Sequence, residues 1–244
     1  MKKITIAHLY YDLMNLYGEN GNVRYLLDRL EKQNIDVSLY FLSIGDKIDF
    51  DKYDFYYMGT GSEENKLIVL EDIIKYKKQI KTAILNGKFF LVTGNSLDLF
   101  GKRIETYDKG NIEALDIFDY IVKEEDFRIV GEQYYTFPFI EEKIIGFQNR
   151  NSAIMEYNRP LFKVISGTGY KPQSLEEGIL EKHFYGTYLL GPLLVRNPYF
   201  TDYLIKEFCR EYDIQYKNNI EDSSYKAYQM YLNNFYNNDK TINN

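Results

Sequence analysis

Apolar positions in the first hundred residues alternate between two spacings. Lys3–Leu9 is an apolar-rich run of strand length. Over Val23–Gln33 the spacing widens to that of a helix, with Val23, Leu26, Leu27 and Leu30 along one stripe. Val37–Leu42 and Phe55–Met58 return to strand character, and the latter runs into Gly59-Thr60-Gly61-Ser62. Leu67–Leu85 carries Leu67, Leu70, Ile73, Ile74, Ile84 and Leu85, which predicts one long amphipathic helix. Asn86-Gly87 ends it, because glycine adopts the left-handed conformation that closes a helix. Phe89–Val92 is a run of four apolar residues, followed at once by Thr93-Gly94-Asn95-Ser96 and a further helix.

This order, β-α-β-β-α-β-turn-α, predicts an α/β fold: a three-layer α/β/α sandwich on a mostly parallel sheet. After about residue 103 short strands dominate: Phe127–Val130, Lys143–Phe147, Leu161–Val164 and Phe184–Leu189. Asn197-Pro198 predicts a helix start, with asparagine as cap and proline in the first turn. The apolar face of that helix is Phe200, Tyr203, Leu204 and Phe208, and Ser223–Tyr236 predicts a last helix. Residues 237–244 read as a frayed polar tail. Without an internal repeat or linker, residues 1–236 read as one domain.

Composition removes several function classes. The chain has 244 residues, 45% of them apolar, enough for a sizeable core. No stretch of about 18 apolar residues occurs, so a membrane span is not expected. The apolar run behind Lys2 and Lys3 ends at Tyr10–Asp12 without a small-residue cleavage site and reads as a strand, not a signal peptide. A single cysteine, Cys209, favours a reducing compartment, hence the cytoplasm. A net charge of −6 with scattered basic residues argues against nucleic acid as a partner. Cys209 falls inside a predicted helix and reads as a buried structural thiol. His8, in the first strand, and His183, beside Lys182, form neither a metal set nor a Cys–His pair, so no metal or cofactor is expected.

In an open parallel sheet, ligands bind beyond the carboxyl ends of the strands. Two turns occupy such ends, Gly59–Ser62 and Thr93–Ser96. The amides of Gly59-Thr60-Gly61 have the context of an anion or oxyanion site at a helix start, although glycines also serve as plain turns. Thr93-Gly94-Asn95-Ser96 has the strand-to-helix context of a nucleophile elbow. Its apex, Gly94, has no side chain, and Thr93 beside it has no evident base. Leu190 reads as part of a buried strand running into a turn.

Taken together, these segments resemble the cobyric-acid-synthase-like branch of the class I glutamine amidotransferases, and within it the small glutaminase subunits of lipid II isoglutaminyl synthases. Tyr17-Gly18-Glu19-Asn20-Gly21-Asn22 resembles the family's Tyr-Gly-Asp-x-Gly-Asn. Gly59-Thr60-Gly61-Ser62-Glu63 sits where the family has Gly-Gly-Gly-Gln-Asp. Arg128-Ile129-Val130-Gly131 resembles Arg-x-x-Gly, and Gly146-Phe147-Gln148-Asn149 resembles Gly-Phe-Glu-Asn, with Arg150 where a His is usual. Gly186 to Pro198 matches Gly-Thr-Tyr-Leu-His-Gly-Pro-Leu-Leu-x-x-Asn-Pro almost residue for residue. The resemblance implies a flavodoxin-like amidotransferase fold. It also implies glutamine as a ligand, held by Arg128 at its α-carboxylate, with Gly59, Gly61, Ser62 and Asn95 around the reacting group.

The departures fall on the chemistry. The family's catalytic Cys position is Gly94, or Thr93 with a one-residue shift, and its catalytic His position is Leu190. The Gln of the glycine-rich motif is Ser62. Thioester formation needs a thiolate and a base that protonates departing ammonia. Glycine and leucine supply neither. The resemblance therefore implies a degenerate amidotransferase-like subunit that forms a heterodimer with a Mur-ligase-like enzyme. Two other readings stay open. One is a rewired hydrolase using Thr93 or Ser96 with Asp98 or Glu63. The other is a module that binds an amino acid through Arg128 without hydrolysing it.

Overall fold

The computed structural model describes residues 3–155, 157–217 and 223–236; the tail expected at 237–244 lies outside them. The first half follows the sequence order: β1 (Ile4–Leu9), α1 (Asn20–Lys32), β2 (Val37–Leu42), β3 (Phe55–Met58), α2 (Glu63–Ile73), α3 (Lys77–Leu85) and β4 (Phe89–Thr93). Two short strands near the far end of the chain, β11 (Ile179–Glu181) and β12 (Phe184–Thr187), complete this sheet in the order β11-β12-β4-β3-β1-β2. All neighbours are parallel except β11 with β12.

Side-chain alternation sorts the sheet residues into two cores. Phe55, Tyr57, Phe89 and Leu91 pack with Val23, Leu26 and Leu30 of α1 and with Phe200 and Leu204 of α5 (Pro198–Glu211). Tyr56, Met58, Phe90 and Val92 face the other way, onto Val69, Leu70 and Ile73 of α2 and Ile80 and Ile84 of α3. Helices thus cover both faces of the sheet, the three layers that the apolar runs predict.

The expected helix Leu67–Leu85 is two helices. Ser62 caps the first, its Oγ accepting Asn65 N at 3.0 Å, so α2 begins four residues before the leucine stripe. A 3₁₀ turn at Ile74–Tyr76 then interrupts it. There Tyr76 turns inward, and its hydroxyl donates to Asp46 O at 3.2 Å and accepts Ile48 N at 3.1 Å. The buried stripe of α2 is Lys66, Val69, Leu70 and Ile73, while Ile68 and Ile74 are exposed. Beyond β4 the chain makes a 3₁₀ segment, Gly94–Phe100, where an α-helix was expected.

Of the short strands expected after residue 103, Phe184–Leu189 is the shorter β12 of the first sheet, and the other three are parts of longer strands in a second sheet. β5 (Arg103–Thr106), β6 (Gly110–Glu113), β7 (Ile121–Thr136), β8 (Ile144–Ile154), β9 (Phe162–Ser166) and β10 (Glu176–Glu177) pair in the order β10-β9-β7-β5-β6, with β8 also on β7. All pairs are antiparallel except β5 with β7. A break in the β7–β8 register between Glu124 and Ile129 explains why the polar stretch ahead of Phe127 did not read as strand.

After β12 come α4 (Leu193–Arg196), α5 and α6 (Ser223–Phe235). Pro198 opens α5 as expected, but Asn197 does not cap it. Its side chain instead bridges to β8, accepting Ile145 N at 2.8 Å and donating to Ile145 O at 2.7 Å and Leu193 O at 2.9 Å. No helix among the described residues is long and apolar enough to cross a membrane.

Candidate functional site

The carboxyl ends of β3 and β4 lie side by side, with Met58 paired to Val92, so the turns that follow meet at the sheet edge. Gly94 forms the apex of the second turn with φ +62°, the left-handed region where a side chain is strained. Its amide donates to Leu189 O at 3.2 Å, and Leu190 N donates to Phe147 O at 2.9 Å. This ladder holds Leu190 directly over the apex. A Cβ added at Gly94 would lie 3.1 Å from Leu190 Cδ2 and would overlap Thr60 Cβ and Oγ1.

Asn95 ties the two turns together. Its Oδ1 accepts Gly61 N at 3.0 Å and the Thr60 hydroxyl at 2.8 Å. Its Nδ2 donates to Gly61 O at 2.9 Å, and its own amide donates to Thr60 Oγ1 at 3.1 Å. Ser96 Oγ donates to Gly59 O. The N-terminal segment covers the glycine loop: Leu16 N donates to Thr60 O at 3.0 Å, and Asn65 Nδ2 donates to Leu13 O at 3.0 Å. A Cβ at Gly59 would lie 2.7 Å from Glu19 Cβ, and one at Gly61 would lie 2.8 Å from Leu13 O, so both glycines permit close approach. Thr60, Asn95 and Leu190 are all buried, and Ser62 is spent on its helix cap.

Beneath the apex lies a carboxylate to which sequence reasoning gave no role. Glu19 is wholly buried and accepts four donors: Thr93 Oγ1 at 2.6 Å, Gly191 N at 2.7 Å, Asn22 Nδ2 at 3.2 Å and the Tyr57 hydroxyl. Burial raises its pKa, against the pull of these hydrogen bonds. It gives Thr93 the hydroxyl–carboxylate contact that the sequence did not reveal. Thr93, Tyr57 and Glu19 are all essentially inaccessible, however, so no substrate atom reaches the pair.

A second buried group backs the elbow. Lys66 Nζ donates to Asp98 Oδ2 at 2.9 Å and lies 3.0 Å from Glu63 and 3.7 Å from Glu124. Burial works against its charge, but Asp98 and Glu63 outweigh it and hold its pKa above the ordinary lysine range. Asp98 Oδ1 accepts Ser152 Oγ at 3.0 Å and Tyr188 OH at 2.8 Å. Arg150 stacks 3.9 Å from the Tyr188 ring centre. A lysine on the Val69–Leu70–Ile73 stripe was the available sequence signal for this group. For Glu19 the signal was the acid inside Tyr17–Asn22.

Arg128 stands at the rim, exposed. Its Nε donates to Asn149 Oδ1 at 2.9 Å, and its Nη1 lies 3.8 Å from Glu63, which also reaches Asn95 Nδ2 at 3.5 Å. The structure thus brings Arg128, Glu63, Asn95, Thr93, Gly94 and Leu190 to one edge of the sheet. It leaves His183 and Cys209 away from that edge. His183 Nδ1 is paired with Gly87 O at 2.9 Å, and the Cys209 thiol is buried, its pKa pushed up to about 11 by burial. Among the described residues, no group of three or more His, Cys, Asp or Glu could hold a metal ion.

Residues 5–198 match the CobB/CobQ-like glutamine amidotransferase domain family. The chain is 31% identical over 220 residues to the lipid II isoglutaminyl synthase (glutamine-hydrolyzing) subunit GatD of Staphylococcus aureus, covering 89% of each chain. It is 29% identical over 198 residues to the same-named subunit of Streptococcus pneumoniae, covering 80% of this chain and 76% of the relative.

Proposed function

Because the chain belongs to the CobB/CobQ-like glutamine amidotransferase domain family, we propose that it is a degenerate amidotransferase-like subunit. In this reading it has lost glutaminase activity and accompanies a Mur-ligase-like enzyme in amidating the peptidoglycan precursor lipid II. The observation that carries the reading is the apex itself. Gly94 and Leu190 face each other where amide hydrolysis would need a nucleophile and a proton carrier, with Leu190 Cδ2 3.1 Å from the place a Cβ of residue 94 would take. Without either group, only residual binding and oxyanion effects are left, orders of magnitude below full activity.

The lipid II role comes from the relatives, whose names give it to their own chains. The retained Gly186–Pro198 segment supports a preserved scaffold. It packs through Asn197 onto β8 and through Leu194 N onto Asn22 Oδ1 at 2.8 Å.

One observation favours a rewired hydrolase, the 2.6 Å contact between Thr93 and Glu19. Complete burial of both argues against it. An amino-acid-binding role through Arg128 has less support, because Asn149 and Glu63 already face its guanidinium.

The test is ammonia release from glutamine, by the purified chain alone and co-expressed with the Mur-ligase-like partner. No release together with a stable complex is the expected result. Turnover that survives Cys209→Ala and is lost in Thr93→Ala would refute the reading in favour of the rewired site.

A further inference from the structure

At a strand-to-helix elbow the apex side chain projects into the crevice. The amide of the next residue and an amide from a neighbouring loop then point at the reacting oxygen. Both amides are present here, and both are occupied from within. The amide after the apex, Asn95 N, donates to Thr60 Oγ1 at 3.1 Å. The loop amide, Gly61 N, donates to Asn95 Oδ1 at 3.0 Å. Thr60 Cβ and Oγ1 also fill the space that any apex side chain would need.

We propose that Thr60 is the residue that closes this crevice, standing in for both the missing apex side chain and the oxyanion. The proposal rests on the reading of Gly94 and Leu190 as an inactive pair and identifies what holds that state in place. Thr60 is 3% exposed, its β-branched side chain has few rotamers, and two hydrogen bonds to Asn95 fix the one it uses. It cannot swing aside for a new neighbour at low cost. Restoring a thiol at the apex is therefore insufficient: the crevice opens only when residue 60 loses its side chain.

The test compares Gly94→Cys with Thr60→Gly/Gly94→Cys in the full chain, measuring alkylation by iodoacetamide with peptide mapping. Cys209, buried in both, is the internal control. The introduced thiol should react roughly 10- to 100-fold faster in the double variant, the factor that strain from overpacking corresponds to. Equal rates overturn the proposal.

A second cycle uses stability alone. Urea unfolding should show that Gly94→Ala lowers the folded-to-unfolded ratio roughly 10- to 100-fold more with Thr60 present than after Thr60→Gly. The left-handed strain at the apex is common to both backgrounds and cancels. Equal penalties overturn the role of Thr60 and leave the reading of the inactive pair standing. Ammonia release by the unmodified chain would instead overturn the reading of the inactive pair, and the proposal that rests on it.

Discussion

Changing Asp98 to asparagine removes one charge from the group behind the elbow while sparing its other contacts. Oδ1 alone accepts Ser152 Oγ and Tyr188 OH, so an amide oxygen there keeps both. Oδ2 faces Lys66 Nζ at 2.9 Å, and an amide nitrogen in its place turns an ion pair into two opposed donors. Lys66 is inaccessible, so its ammonium cannot reach water, although Glu63 at 3.0 Å still gives partial compensation. Stranding one member of a buried pair costs about 3–5 kcal/mol, and the remaining carboxylate places this case near 3. At roughly 2–4 °C per kcal/mol for a chain of this size, the melting temperature falls by about 6–12 °C.

Urea unfolding followed by circular dichroism measures the cost, with Lys66→Met/Asp98→Asn as the comparison. Removing the stranded ammonium should return part of the loss, so that the double variant is more stable than Asp98→Asn alone. A cost below about 1 kcal/mol for Asp98→Asn, or a double variant as unstable as the sum of the single ones, refutes the buried-pair account.

Three further outcomes follow from buried groups. Burial pushes the Glu177 carboxyl up to about 7, against hydrogen bonds from Tyr188 N and Thr187 and the nearby Arg150 charge. The folded chain then holds a proton that the unfolded chain, titrating near 4.5, releases. The linked stability of about 3 kcal/mol is complete below that value and is lost as pH rises through about 7. Glu177→Gln should therefore flatten the urea midpoint between about pH 5 and pH 8 relative to the parent chain, and an unchanged slope contradicts this.

His8 has the opposite sign. Burial lowers it from 6.5 to about 4, with Asp12 opposing, so its contribution is full above 6.5 and lost as pH falls to about 4. His8→Phe, beside Tyr57 and Phe41, should blunt that acid-side loss. Asn197→Ala should cost about 2–4 kcal/mol in urea unfolding, because it strands both backbone groups of Ile145. A cost near 1 kcal/mol would instead match an ordinary helix cap.

The layers of the first sheet were legible because each strand and helix of the first half carries its own period. Phe89–Val92 read as a buried strand and Phe55–Met58 as a strand, and both are strands buried along their whole length. The second sheet was not legible in the same way. In β7 one exposed polar stretch interrupts the apolar positions where the ladder slips, so a strand of 16 residues showed only its Phe127–Val130 portion. The break between α2 and α3 depended on Tyr76 reaching a loop 30 residues away, a contact that no local pattern contains. Asn197 looked like a cap because its spacing to Pro198 was right, while its partner lies 52 residues away on β8.

The site divides along the same line. The residues alone read as a glycine turn at Gly94 and a buried strand at Leu190, and only the family resemblance marked them as positions of lost chemistry, a reading that needs no coordinates. What fills the vacated space could not be read. Thr60 differs from glycine by atoms whose meaning depends on a turn 34 residues further along, and Glu19 only becomes the partner of Thr93 when β1, β3 and β4 are aligned. On the proposed reading, loss of the nucleophile alone would leave two free amides and a gap beside Leu190. Here Thr60 and Asn95 consume the amides and Thr60 occupies the gap. A side chain at residue 94 would meet both Thr60 and Leu190, so the identity at the apex depends on both neighbours. That dependence is why single reversions toward a catalytic sequence are expected to lose stability without gaining activity.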